Sequence, residues 1–401
     1  MTIDLLNLKA LLAPIGQARF FDEYWEKKPL HMKRGDNDFY SKLLSIADLE
    51  RLIASPDARY PAIQLSKAGA YFPPEVYCDD VKFGSETFTG VPNPQKIAAE
   101  YRAGASIVLP ALQRTWGPLR KTCASIDAEL DHVVHANAYL TPGNTAGFSP
   151  HYDTHEVIVL QIAGGKDWRI YKPPIELPHR KQPFDPQGYV LPDQPVLEVR
   201  LNAGDLLYLP RGYVHTTTTS NSFSAHITIG IAVYTWIDLA GEVLQAAMSS
   251  LAFRKALPVG FAHRGEELPV LRAGLKEILR TLGQGAHESQ LVDMFLARTR
   301  ASPVLDSIPF HADVVVIARE TDLAAPDALD FRIVAQGTKV AVEFHQRRFI
   351  LPAEAAPLLE FMQRQRYFRT AQLPSALDIE IKLALVRSLY DKGFLTLSHA
   401  R

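Results

Sequence analysis

Between 133 and 233, apolar residues come in short runs broken by Gly, Pro and Asn, with no helical spacing. Runs at 133–139, 157–162, 168–171, 196–201, 206–209, 214–219 and 225–233 each fit a strand, and many short strands at close spacing predict a sandwich or barrel. Gly164-Gly165, between two of these runs, predicts a hairpin. The segment before 132 is mixed. Apolar residues at helical spacing predict helices over 3–12 and 19–27, the second carrying Phe20, Tyr24 and Trp25 on one face and ending at Pro29. Short strands are expected at 30–33 and 107–109, and a helix at 119–130 with Pro118 in its first turn. Helical spacing returns at Trp236, where Ala240, Val243, Leu244, Ala247, Met248 and Leu251 share a face; further helices are expected at 268–282 and 287–300. The last part is α+β: a hairpin of 339–344 with 348–351, a helix opened by Pro352, a helix over 376–392 stopped by Gly393, and a strand at 394–397. Domains are therefore expected at 1–235, 236–305 and 306–401. The wide apolar stripe of the middle region predicts a homodimer.

Composition narrows the class. A chain of 401 residues, 47% hydrophobic and 22% charged, is globular and too long for one ordinary domain. Forty-three basic and forty-four acidic side chains leave a net charge of −1, so no global field draws it to nucleic acid or an acidic membrane. The C-terminal part has a local basic set, His345, Arg347, Arg348, Arg364, Arg366 and Arg369, diluted by Glu343, Glu354 and Glu360. A solvated or protein-docking face is the expectation there, with nucleic acid unlikely as a direct ligand. Cys78 and Cys123 form no C-x-x-C, which speaks against a thiolate zinc site and a disulfide framework. No apolar run approaches the ~18 residues of a membrane span, and Met1-Thr2-Ile3-Asp4 lacks the basic start of a signal peptide. The expectation is a cytoplasmic protein with no membrane partner.

The informative tripeptide is His151-Tyr152-Asp153, at the head of an expected strand. Residues i and i+2 of a strand share a face, so His151 and Asp153 can approach one metal. Isolated H-x-D is common, and its weight comes from the later Gly204-Asp205…Pro210-Arg211-Gly212-Tyr213-Val214-His215, whose histidine is the natural third ligand. Two histidines and a carboxylate make the facial triad of non-haem Fe(II) oxygenases, with three positions open for a bidentate 2-oxo acid and dioxygen. His155, at i+4 from His151, could replace His215, but positions along one strand spread faster than a metal can span. Lys166 follows the Gly-Gly step; spacing alone leaves it either a solvated turn lysine or the partner of a distal carboxylate. Trp168, Trp236 and Phe184 could line a peptide groove, although packing is the commoner role for such residues.

Taken jointly, Asn137-Ala138-Tyr139-Leu140-Thr141-Pro142, Pro150-His151-Tyr152-Asp153, Val159-Leu160-Gln161, Gly165-Lys166-Asp167-Trp168-Arg169-Ile170-Tyr171 and Ala203-Gly204-Asp205-Leu206-Leu207-Tyr208-Leu209-Pro210-Arg211-Gly212-Tyr213-Val214-His215 resemble the Jumonji-C ribosomal oxygenases. Phe21-Asp22-Glu23-Tyr24-Trp25-Glu26-Lys27-Lys28-Pro29-Leu30 is similar to that family's N-terminal segment. The motifs cover most of 18–233, and the rest matches by layout. The resemblance implies a mainly β catalytic domain, a double-stranded β-helix of the cupin kind, then a helical dimerisation region and a C-terminal α+β winged-helix-like domain. It implies Fe(II)- and 2-oxoglutarate-dependent hydroxylation of a protein side chain, with dioxygen, on a ribosomal protein. His151, Asp153 and His215 match the iron ligands, Lys166 the lysine that pairs with 2-oxoglutarate, and Thr228 a residue near that cosubstrate. Some bacterial members use an arginine in place of the lysine, so this chain looks closer to the lysine-bearing branch. Asn137 and Tyr139 match residues that hold the target side chain. One departure matters: histidyl hydroxylases carry a serine two residues after the threonine, and here that position is Gly230. A hydrogen bond to a target histidine would be missing, which leaves the target open between Arg and His. A small-molecule hydroxylase or a histone-type demethylase would share the chemistry, and a non-catalytic cupin-like binding module would share the barrel. The accessory domains speak against a small substrate, and the intact triad with Lys166 speaks against a non-catalytic module.

Overall fold

The structure is a computed structural model and describes residues 6–55, 57–248, 251–257, 259, 268–283, 292, 295–296, 299, 317–326, 331–344, 347–374 and 377–398. It divides into two units, Met1–Thr235 and Trp236–Arg401. The expected boundary at 305/306 and most of the helix expected at 287–300 lie outside the described residues.

The first unit carries β1 (Leu30–Met32), β2 (Gln64–Lys67), β3 (Ala70–Tyr71), β4 (Cys78–Phe83), β5 (Glu86–Pro92), β6 (Ser106–Leu109), β7 (Val133–Thr141), β8 (Glu156–Tyr171), β9 (Leu197–Asn202), β10 (Leu206–Leu209), β11 (Val214–Thr218) and β12 (Ser224–Ala232). One sheet runs β1-β10-β8-β12-β7-β6-β2-β3, and β9 and β11 also pair with β8. β4 and β5 form a separate hairpin that the apolar pattern did not announce.

Alternation sorts the side chains. On β7, Val134, Ala136 and Ala138 point one way, into a core shared with Ile158, Leu160 and Ile162 of β8 and Ile227, Ile229 and Ile231 of β12. The helix Gly117–Leu130 covers that face with Leu119, Cys123 and Ile126, and the N-terminal helices add Leu8, Leu11, Leu12, Phe20 and Leu49. The opposite face holds His135, Asn137, Tyr139 and Thr141, across from Gly230, Thr228, His226 and Ser224. Val157, Val159, Trp168, Ile170, Leu201, Leu207 and Leu209 form a second apolar cluster. One face of the strands is thus uniformly apolar, and the other mixes apolar with polar groups.

The expected hairpin at Gly164-Gly165 does not form. Residues 156–171 are one strand, whose first half pairs with β10 and β12 and whose second half pairs with β9 and β11. Gly164 adopts φ +63°, and a Cβ there would also overlap the Phe223 carbonyl oxygen, so the position requires glycine on both counts. The register against β12 slips between Ala225 and His226, where β8 leaves its partner. The glycines mark a corner at which a strand changes sheets, not a reversal of direction. The second N-terminal helix is also shorter than expected, Gln17–Glu23, and Glu26 sits at φ +57°.

In the second unit, Trp236–Ala247, Leu251–Arg254 and Leu268–Gly283 are helical. Phe331–Gln336 joins the expected hairpin strands, Lys339–Phe344 and Arg347–Pro352, as a third strand. Asp322–Ala324 lies between Tyr367–Arg369 and Thr396–Leu397. These sheets and the helices Ala356–Arg364 and Ile379–Asp391 contribute to a core in which Phe394 meets Phe331 edge-on at 5.0 Å.

Gly84 has nearly the same φ, +61°, with open space around it. Gly84→Ala should therefore cost about 1 kcal/mol of left-handed strain, and Gly164→Ala about 3 kcal/mol or more, because overlap with backbone is added. Thermal melts of the two variants, compared directly, test this. Equal losses would mean that the corner is not sterically fixed.

Candidate active site

The end of the loop before β8 and the start of β11 are laced together by backbone. His215 N–H donates to the His151 carbonyl at 2.9 Å, and Gly212 N–H donates to the Asp153 carbonyl at 3.0 Å. This brings His151, Asp153 and His215 together, with one ligand atom of each within 4.8 Å of the others. His215 Nε2 lies 3.9 Å from Asp153 Oδ2, and the two imidazole rings are 4.4 Å apart. His151 Nδ1 is 2.8 Å from the Ser149 carbonyl and His215 Nδ1 is 3.2 Å from that of Tyr213. A carbonyl can only accept, so each Nδ1 carries the proton and each Nε2 keeps its lone pair for a metal. Burial, with His151 next in effect, pushes His215 down to about 4, which keeps it a neutral ligand. Burial raises the Asp153 carboxyl, but the surrounding imidazoles, His155 first, hold it below its usual value. His155 is not in the converging set; it packs edge-on against His135 at 4.9 Å.

Lys166 lies on the second half of β8 and is only 4% exposed. Burial lowers its pKa to about 8. Its hydrogen-bond partner is the Thr141 hydroxyl at 3.4 Å, and no carboxylate pairs with it among the described residues. Trp168 Nε1 and His226 Nδ1 are buried with no hydrogen-bond partner, and their rings are 5.9 Å apart. Burial holds His226 far below its usual value, and the Lys166 ammonium adds to this. A buried cation without a counter-charge, beside two unsatisfied ring nitrogens, is the chemistry an anionic ligand completes. Three convergent ligands and this unpaired ammonium fit Fe(II) and 2-oxoglutarate.

The remaining expected residues share the same face. Thr228 is across from Asn137 on β7 and Val159 on β8. Asn137 Oδ1 accepts from Ala111 N–H at 2.9 Å. Tyr139 stacks on His226, rings 4.9 Å apart and nearly parallel, and burial pushes its hydroxyl up. Trp168 packs inside the barrel, Phe184 packs on Tyr152 and Tyr189, and Trp236 is in the other unit, 86% exposed. His135, Thr141 and His226 were missed by the sequence reading. Extending the alternation outward from Asn137 would have placed His135 and Thr141 on its face.

Residues 117–239 match the family model of the JmjC domain. A protein of Dictyostelium discoideum named bifunctional lysine-specific demethylase and histidyl-hydroxylase NO66 is 27% identical, over 97% of this chain and 82% of its own length. Ribosomal oxygenase 1 of Danio rerio is 32% identical over 63% of this chain, and the chain spans 46% of that relative's length. The Escherichia coli ribosomal oxygenase YcfD, in complex with cobalt and 2-oxoglutarate, superposes with a TM-score of 0.53 over 95% of this chain and 98% of its own; at 18% identity that likeness is one of fold. Fold and site together define a JmjC oxygenase, a class that uses Fe(II), 2-oxoglutarate and dioxygen. Within that class the similar proteins include ones named ribosomal oxygenase.

His151→Ala or Asp153→Ala is expected to abolish 2-oxoglutarate turnover while the far-ultraviolet spectrum stays as in wild type. His155→Ala should be far milder than His215→Ala. Equal losses in these last two would show that the ligand set is misassigned.

Lys166 gives a pH signature in the metal-free, cosubstrate-free protein. Its folded pKa is held to about 8, against the ordinary lysine value of 10.5. Between those values the unfolded chain binds the extra proton, so stability should rise with pH across that window. Lys166→Met should flatten the rise, which is on the order of a few kcal/mol. Denaturant midpoints from pH 7 to 10.5 measure it, and parallel profiles would return Lys166 to solvent.

Proposed function

We propose that this chain is an Fe(II)- and 2-oxoglutarate-dependent oxygenase that hydroxylates an Arg or His side chain of a ribosomal protein. The observation that carries the reading is the facial triad with a buried, unpaired lysine in the same domain. Fe(II) held by His151, Asp153 and His215 would supply, with dioxygen and 2-oxoglutarate, the oxidation of an unactivated C–H bond. The chain's own part is to bind, orient and exclude water. Lys166 would pair with the distal carboxylate of 2-oxoglutarate, and Thr228 would be near that cosubstrate. Asn137 is fixed by Ala111 N–H and Tyr139 by its stack on His226, so both present settled geometry to a target side chain. The relatives' names support a protein acceptor. The buried thiols Cys78 and Cys123 suit a reduced cytoplasm.

The homodimer belongs to the same proposal. Trp236, Ile237, Leu244, Met248 and Leu251 expose 86, 65, 62, 58 and 63% of their surface, a large apolar area for a solvated helical segment. Sedimentation at micromolar concentration should give the dimer mass, and Leu244→Asp with Met248→Asp should shift it to the monomer. A monomeric wild type would remove the dimer.

Mass spectrometry of ribosomal proteins from a deletion strain and its parent tests the activity. Loss of one added oxygen on an Arg or His in the deletion strain is the expected result. Unchanged ribosomal proteins would overturn the reading. A change confined to methylated lysine would favour the demethylase that one relative's name includes.

In the cosubstrate site, Lys166→Ala should raise the dissociation constant of 2-oxoglutarate by about a hundredfold or more, the scale of a broken buried charge pair. Lys166→Arg should be gentler because it keeps the charge. Superposable titrations of wild type and Lys166→Ala would leave the cosubstrate reading on the triad alone.

A further inference from the structure

Gly230 lies on the polar face of β12, two residues beyond Thr228, and its cross-strand partner on β7 is His135. A Cβ built on Gly230 would overlap Cε1 and Nε2 of His135 and come within 2.8 Å of Cδ2 of His155. The space that a side chain at 230 would fill is therefore taken by an imidazole from the opposite strand. His155 braces that imidazole, ring edge to ring face, at 4.9 Å and 65°. His135 and Asn137 share a face of β7, and both His135 and His155 act electrostatically on Asp153, which puts the pair on the metal side of the barrel.

We propose that His135 is a specificity-determining residue, whose ring nitrogen takes over from β7 the hydrogen-bonding position that a polar side chain at 230 would supply from β12. Under the proposed function the acceptor it would hold is an imidazole or a guanidinium, either of which can pair with a neutral ring nitrogen. This rests on the reading of the site as a protein side-chain hydroxylase. Burial keeps His135 neutral, so one ring nitrogen accepts a hydrogen bond while the other donates. Gly230 has no role of its own beyond leaving room: a serine there would collide with the ring that replaces it.

A reciprocal swap tests the exchange. The probe is total ribosomal protein extracted from the deletion strain, supplied with Fe(II) and 2-oxoglutarate, and oxygen addition is located by fragmentation mass spectrometry. His135→Ala should raise the KM for the acceptor roughly fivefold to tenfold, the scale of one lost hydrogen bond. The 2-oxoglutarate dissociation constant, measured with Mn(II), should stay within about twofold, since the cosubstrate contacts lie elsewhere. Gly230→Ser alone should also impair the acceptor KM, through displacement of His135. The double variant His135→Ala/Gly230→Ser should recover to within about threefold of wild type, because the serine hydroxyl restores the lost partner. A wild-type KM in His135→Ala, or a double variant no better than His135→Ala, overturns the proposal. Should His135→Ala fail to fold by thermal melt, His135→Asn with and without Gly230→Ser carries the same comparison. Oxygen on His or on Arg distinguishes the two acceptors, and oxygen on an aliphatic residue excludes the planar class. If wild type modifies no ribosomal protein, the underlying reading fails, and the inference fails with it.

Discussion

Glu156, at the first position of β8, is fully buried, and its carboxylate accepts from the Arg211 guanidinium at 2.7 Å and from the Tyr208 hydroxyl. Arg211 also donates to Glu26, far back in the chain, where the backbone is left-handed. Glu156 closely follows Asp153, and Arg211 closely precedes His215. This ion pair, together with the backbone bonds from His215 and Gly212, therefore holds the loop before β8 against the turn that opens β11, and with it Asp153 against His215. Such a pair adds little net stability, since desolvation offsets most of the attraction; breaking one partner typically costs about 3–5 kcal/mol. Its contribution is geometric. The N-terminal segment, through Glu26, helps to fix a centre that it does not enter.

The same strand carries the constraint onward. Drawn straight, β8 would place Lys166 about 30 Å from Glu156, at ~3.3 Å per residue. The corner at Gly164 instead turns the second half alongside β11, so that Thr217 faces Trp168 and His215 faces Ile170. Trp168 then lies 5.7 Å from His215 and 5.9 Å from His226, whose charge state feels Lys166. The His151, Asp153 and His215 cluster and the buried Lys166 are brought into one interior by a bend at a glycine whose Cβ would meet backbone.

Much of this was legible in the residues. The i, i+2 spacing of His151 and Asp153, with the later turn to His215, pointed to the three side chains that the structure brings together, because strand alternation is a strict geometric rule. The runs that became β7, β10, β11 and β12 were read to within a few residues for the same reason. The Gly-Gly step misled because a corner and a reversal need the same freedom at φ; which one forms depends on the Phe223 backbone, remote in sequence. β4 and β5 escaped because their side chains are mostly exposed or half-buried and leave little apolar trace. Lys166 stayed open between surface and interior until its burial was seen, since one residue beside a turn signal has no periodicity to place it. Arg211 stood inside a quoted motif, but Glu26, its partner across the chain, had no local signature.

On the proposed reading, the unpaired Lys166 matches the charge of what the site would hold. One carboxylate ligand, a divalent cation, a dianionic oxo acid and one ammonium sum to zero. Without metal and oxo acid, the interior keeps Asp153 among imidazoles and an ammonium with only a hydroxyl beside it. A carboxylate neighbour for Lys166 would relieve the second of these and would compete with the oxo acid for the same cation. The missing partner would thus be the condition for binding a dianion tightly: the fold carries the desolvated charge, and the ligand would remove its cost. Were the oxo acid also to bind a metal held by His151, Asp153 and His215, filling either half of the site would favour filling the other, and metal and cosubstrate would reinforce each other's binding.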